Sequence, residues 1–132
     1  MIGKYELRTI GVDIDEYNAI CAELGITLIV YDIVEMGVPV DEPPGFQSGI
    51  LKLILKDITK GKKVMCHCRG GVGRAGTVAA CLLLEIGLAK RSKEVIEAVR
   101  RLRDKRAVES RKQVDYIKRF RKHLLAKQGP QS

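Results

Sequence analysis

Apolar residues recur along this chain with two periods, and a glycine-rich loop sits between them. Residues 5–10 read as a short strand. Ile14, Tyr17, Ile20 and Leu24 are spaced for one helix face, with Asp13 or Asp15 as N-cap and Gly25 as the stop. The β-branched run at residues 26–33 predicts a strand. A loop over residues 34–45 carries Pro39, Pro43 and Pro44. Residues 46–60 return to helical spacing, with Phe46, Ile50, Leu53, Ile54 and Ile58 expected to face inward. A second strand is expected at residues 64–66, followed by the glycine loop and a helix that Gly87 interrupts. Ser92 is placed to cap a helix carrying Val95, Ile96, Val99 and Leu102. Ser110 and Gln113 have capping-box spacing ahead of Val114, Ile117, Phe120 and Leu124. This order predicts an α/β fold: a small layered domain with a mostly parallel central sheet flanked by helices. One domain is expected over residues 1–126, with a frayed tail at residues 127–132.

Composition narrows the setting. With 132 residues the chain has room for one core, and 45% hydrophobic content supports a folded globule. No export signal or membrane-length apolar run is visible. The cysteines 21, 66, 68 and 81 lie mostly in apolar surroundings, which points to a reducing cytoplasmic or nuclear compartment. Cys66 reads as a core residue rather than a redox partner of Cys68. Zinc-type spacing is absent, so no metal or other cofactor is expected. The net charge of +8 is uneven, because residues 90–127 hold fifteen Lys/Arg against five Asp/Glu. That basic half suits a phosphoprotein, an acidic lipid headgroup or RNA. It equally suits two amphipathic helices with solvated cationic faces.

The loop itself carries the chemistry: His67-Cys68-Arg69-Gly70-Gly71-Val72-Gly73-Arg74-Ala75-Gly76-Thr77. Its glycines let backbone N–H groups converge at a helix N-terminus, where an anion is favoured. Cys68 opens the loop in surroundings that favour a thiolate. Arg74 closes it with a planar fork that fits two phosphate oxygens. Arg69, Gly70, Gly71, Val72, Gly73 and Arg74 therefore form a candidate phosphate cradle around the Cys68 nucleophile.

The string resembles the signature of the cysteine-dependent protein tyrosine and dual-specificity phosphatases, H-C-x5-R followed by Ser/Thr-Gly. Within that superfamily it is most similar to the kinase-associated phosphatase (cyclin-dependent kinase inhibitor 3-like) group. The likeness continues through Val78-Ala79-Ala80-Cys81-Leu82-Leu83-Leu84 and reaches Ala107-Val108-Glu109. It implies a protein-tyrosine-phosphatase-like fold, short at the N-terminus. The family's additional strands would precede the segment at residues 13–24, and an intervening strand has no evident source. Residues 5–10 filling that slot, strands shared with a second copy in a homodimer, and a fragment of a longer chain all stay open.

The resemblance implies hydrolysis of phosphate monoesters through a cysteinyl-phosphate on Cys68, with Arg74 stabilising the transferred group. It implies a phosphorylated protein substrate, a cyclin-dependent kinase among the partners. The family's general acid is an Asp on a loop before the signature. Here Glu35 stands in the matching stretch, with Asp32 and Asp41 as rivals. Ala75 departs from the family's Ser or Thr, so slow breakdown of the phospho-enzyme is expected. Gln113 resembles a glutamine that orients the hydrolytic water in some relatives, though a capping role fits better. Competing readings are the same chemistry on a phosphoinositide or an RNA 5′-phosphate, a phosphate-binding pseudophosphatase module, and a rhodanese-like sulfur carrier.

Overall fold

The computed structural model describes residues 1–70 and 72–128. In chain order it has α1 (Lys4–Thr9), α2 (Ile14–Glu23), α3 (Pro43–Phe46), a π-turn (Gln47–Leu51), α4 (Lys52–Thr59), α5 (Arg74–Glu85), α6 (Ser92–Leu102) and α7 (Arg111–Lys127). The core lies where α5 packs against α6 and α7, with α3 closing on α7. Val78, Cys81, Val95, Val99, Tyr116, Ile117 and Phe120 fill it from these helices. Phe46 sits at its centre, with ring centroids 6.0 Å from Tyr31, 5.8 Å from Tyr116 and 6.1 Å from Phe120, the last two in edge-to-face contact. Tyr116 and Phe120 are thus core residues.

The helix caps follow the sequence closely. The Asp13 carboxylate accepts from the backbone N–H of Asp15 and Glu16. Ser110 and Gln113 form the expected capping box of α7. Gly25 and Gly87 end their helices at φ 71° and 77°. At α6 the N-cap is Arg91 rather than Ser92, and Glu94 accepts from the Lys90 and Arg91 N–H groups in its place.

Three expectations change. The expected strand at residues 5–10 is helical: α1 begins after Gly3 with Glu6 in its first turn, and Leu7 anchors it. The helix over residues 46–60 is broken at Gly49 (φ −93°, ψ −107°), where the π-turn adds a residue to the spacing. The phase shift buries Phe46, Leu51 and Ile54 and leaves Leu53 and Ile58 exposed. The central sheet is the largest difference. No strand is assigned among the described residues, and no backbone hydrogen bond joins residues 26–33 to residues 62–67. Sequence pattern extends a backbone, but a ladder needs a neighbour, and these two segments lack one between them. Ile26, Ile29, Val30, Val64 and Met65 stay exposed as a result, and so do Ile20 and Leu24 of α2, which have no sheet to lie on. The tail from residue 127 lies mostly outside the described residues. Among the described residues no helix is long and apolar enough to cross a membrane.

Candidate active site

Cys68 and Arg74 lie at the N-terminal end of α5, with Gly73 as its N-cap and Arg74 as its first residue. The loop is turned inward: Cys68, Val72 and Arg74 are buried, while Arg69 and Gly70 are exposed. Gly71, the remaining expected member of the cradle, lies outside the described residues. Thr77 folds back on the loop, its hydroxyl and its N–H both donating to the Gly73 carbonyl at 2.8 and 3.0 Å. That hydroxyl is therefore used structurally, and Ala75 offers none.

A second layer supports the loop from behind. The Val108 N–H donates to the Val72 carbonyl at 3.0 Å. Val108 holds φ 59°, a conformation that costs a β-branched residue about 1–3 kcal/mol. Its neighbours over-determine it: Arg100 Nε donates to Ala107 O at 2.9 Å and Arg100 Nη2 to Val108 O at 3.1 Å. Gly76 allows the close approach, since a Cβ there would come within 3.1 Å of the Val108 nitrogen. The similarity at residues 107–109 thus corresponds to a physical contact with the Cys68–Arg74 loop.

The front of the site is occupied by the chain's own N-terminal segment. Arg74 Nη1 donates to Glu6 Oε2 at 2.7 Å and Nη2 to Glu6 Oε1 at 2.9 Å, a two-pronged pair. Arg74 Nη1 also reaches the Ile33 carbonyl at 2.8 Å. The Glu6 hydrogen bond is the main reason the guanidinium is held charged above its ordinary value, and the nearby Cys68 adds to it. The same hydrogen bond lowers the Glu6 carboxyl below its ordinary value. Cys68 and Ala75 share a small apolar cluster with Ile2 and Leu7. The Met1 nitrogen donates to the His67 carbonyl at 2.9 Å, and the His67 ring meets the Tyr17 hydroxyl at 3.1 Å. Burial raises the thiols of Cys66 and Cys81, which makes both poor nucleophiles.

The candidate acids separate by environment. Asp41 Oδ2 accepts from the Tyr31 hydroxyl at 2.7 Å, and its carbonyl accepts from the Tyr116 hydroxyl at 2.7 Å. Asp32 lies against Gly3, where a Cβ would overlap its carboxylate. Glu35 is exposed and makes no hydrogen bond or ion pair among the described residues. It rides a tight turn in which the Gly37 N–H donates to Val34 O at 2.7 Å and Met36 takes φ 62°. Ser110 Oγ donates to Met36 O at 2.7 Å and Gln113 Nε2 to Gly37 O at 3.0 Å, so the cap of α7 clamps this turn. Gln113 is fully buried, and its Oε1 also accepts from the N–H groups of Glu109 and Ser110. Its capping role is therefore observed, joined to a contact with the Glu35 turn that spacing alone does not reveal. Glu6 carries no motif, and sequence reasoning misses it altogether. Among the described residues no group of three or more His, Cys, Asp or Glu side chains is placed to hold a metal ion.

Comparison with known proteins accords with this geometry. The cyclin-dependent kinase inhibitor 3 of Homo sapiens is 40% identical over 65 residues, covering 49% of this chain and 31% of the relative. The Sus scrofa protein of the same name is 38% identical over 69 residues, covering 52% of this chain and 32% of the relative. The chain thus matches about a third of the length of these curated relatives. The crystal structure of a glycine-to-alanine mutant form of Tk-PTP superposes with a TM-score of 0.79 at 27% identity, covering 96% of this chain and 76% of that one. The fold is therefore protein-tyrosine-phosphatase-like, although no strand is assigned among the described residues. The phosphatase domain described as "Swiss Army Knife protein, DSP-PTPase phosphatase domain" (PTP-SAK) matches residues 33–129, well over half of the chain. With the Cys68–Arg74 loop, its backing by Val108 and this extended match together, the chain belongs to the PTP-SAK family of dual-specificity-type phosphatase domains.

Proposed function

We propose that the chain hydrolyses phosphate monoesters on protein through a cysteinyl-phosphate intermediate. The observation that carries this reading is that Cys68 and Arg74 are both buried where the loop enters the N-terminal end of α5. The Cys68 thiolate attacks phosphorus, forming the S–P bond as the ester P–O bond breaks. Loop N–H groups from Arg69 to Arg74, with the Arg74 fork, neutralise the equatorial oxygens. Glu35 gives its proton to the leaving oxygen. In the second step Glu35 takes a proton from water, the hydroxide attacks phosphorus, and Cys68 departs as thiolate with release of phosphate. The exposed, clamped turn at residues 34–37 supports Glu35 over Asp41, whose Oδ2 already accepts from the Tyr31 hydroxyl.

The proposed substrate is a phosphorylated protein, with a cyclin-dependent kinase as partner on the strength of the relatives' name. A second reading, the same chemistry on an anionic lipid or RNA 5′-phosphate, rests on the exposed cations of α6 and α7, among them Lys93, Arg101, Lys112, Lys118 and Lys122. Hydrolysis of a generic aryl phosphate by the wild type, Cys68→Ser and Arg74→Lys tests the chemistry. Turnover that is lost in both variants is the expected result. A folded wild type that binds vanadate without turnover would instead make the chain a phosphate-binding module. Release of phosphate from phosphopeptides, measured beside phosphoinositide vesicles and 5′-phosphorylated RNA, then separates the substrate classes.

A further inference from the structure

We propose that residues 1–9 are a built-in closure of the Cys68–Arg74 site, in which the Glu6 carboxylate occupies the fork of Arg74 that a substrate oxyanion would take. The inference rests on the proposed phosphate chemistry for what Glu6 imitates, but the closure itself stands on geometry. Both terminal nitrogens of Arg74 are engaged by Glu6, and Arg74 is only 3% exposed. A phosphate therefore cannot reach that face of the guanidinium while Glu6 holds it. Ile2 and Leu7 pack on Cys68 and Ala75, so the same segment covers the nucleophile. Gly3 fits against Asp32 with no room for a side chain.

The closure is built to open. Of residues 1–9 only Ile2, Gly3 and Leu7 are buried, while Lys4, Tyr5, Arg8 and Thr9 face solvent. The helix α1 packs chiefly on α2, apart from the main core. Gly11, at φ 77°, ends α1 and joins it to the rest of the chain. An element with so few buried contacts opens locally at low cost. A phosphate monoester dianion carries more charge than one carboxylate and more acceptor oxygens, so it displaces Glu6 when it binds. The apparent affinity for substrate falls by the fraction of molecules that are open. A partner that draws residues 1–9 away would raise activity without touching the catalytic groups.

The test uses the full chain as wild type, Glu6→Gln and Gly3→Ala, with two readouts. The first is the rate at which iodoacetamide alkylates Cys68, followed by peptide mass, with the fully buried Cys81 as the report of an intact core. The second is the affinity for orthovanadate. Closure predicts that Cys68 alkylates about tenfold faster or more in both variants, roughly the loss of one charge-assisted pair, while Cys81 stays unreactive. It predicts a vanadate affinity that tightens by a similar factor. Equal alkylation of Cys68 in all three proteins overturns the closure, and Arg74-dependent vanadate binding alongside it leaves the phosphatase reading standing. Weaker vanadate binding in Glu6→Gln also overturns the closure, because Glu6 would then be positioning Arg74 for its ligand. Faster alkylation in the variants with no vanadate binding by any protein supports the closure and removes the phosphate reading.

Discussion

The two sides of the Cys68–Arg74 loop are built differently. Behind it, α5, α6 and α7 interlock around Phe46, Tyr116 and Phe120, and a fully buried Gln113 ties the cap of α7 to the Glu35 turn. In front of it the site is closed by a short helix held by few buried residues, and elsewhere residues 20–30 and 58–65 expose a series of large apolar side chains. The difference follows from how each element is satisfied. A helix meets its own backbone hydrogen bonds, so an apolar face and a cap suffice to dock it. A strand depends on a neighbour that can lie far away in sequence, and without one the run at residues 26–30 leaves Ile26, Ile29 and Val30 exposed. The Cys68–Arg74 loop sits at the boundary, firmly backed and loosely covered.

The largest expected effect sharpens that contrast through stability. Phe120→Ala removes a ring at the meeting point of α3 and α7 and should cost about 3–5 kcal/mol in urea unfolding. Ile29→Ala, in the exposed run at residues 26–30, should cost about 0.5 kcal/mol or less. Similar losses at the two positions would mean that this run is packed as firmly as the helical core.

Gln113→Ala probes the clamp between them. It leaves the Glu109 N–H, the Ser110 N–H and the Gly37 carbonyl without their partner. A loss of about 2–3 kcal/mol is expected, together with a fall in kcat on substrates whose leaving group needs a proton. A drop in stability with kcat unchanged would separate the Glu35 turn from the chemistry.

Ala75→Ser tests the second step. Thr77 spends its hydroxyl on Gly73 O, so a serine at position 75 supplies one that the site lacks. Breakdown of the phospho-enzyme should quicken about tenfold, seen as a smaller burst and a faster steady state. An unchanged burst would show that thiolate departure is not limiting.

The smallest effect is a pH dependence of the front. Glu6 has its carboxyl lowered by Arg74, with Arg69 adding to the effect, so its contribution is fully present above the ordinary value of 4.5. It is lost as pH falls through the lowered folded value, because protonation removes the ion pair. Cys68 alkylation, corrected for its thiolate fraction, should therefore rise only below the ordinary carboxyl value of 4.5. A rise already at higher pH would assign the opening to another group.

Legibility in the sequence follows the same division. The loop, its placement on α5, the caps at Asp13 and Ser110 and the core of α7 are all readable, because each depends on residues within a turn or two. The kink at Gly49 is not, since glycine is tolerated within helices and nothing local announces the extra residue of a π-turn. The sheet is not confirmed: β-branched character is present at residues 26–33, but no ladder is assigned to it among the described residues. Of the candidate site, Cys68 and Arg74 can be proposed from spacing, and Glu35 from its position in a loop. Glu6 cannot: an acidic residue in a mixed N-terminal segment acquires meaning only when the fold sets it 2.7 Å from an arginine 68 positions away.

The most direct test of the central claim is an acid quench of the wild type within one turnover of an aryl phosphate, followed by peptide mass analysis of the loop. The account predicts phosphate on Cys68, accumulating because Ala75 slows its release and absent from Cys68→Ser. Turnover that proceeds with no phosphate on Cys68, or that survives in Cys68→Ser, would contradict it.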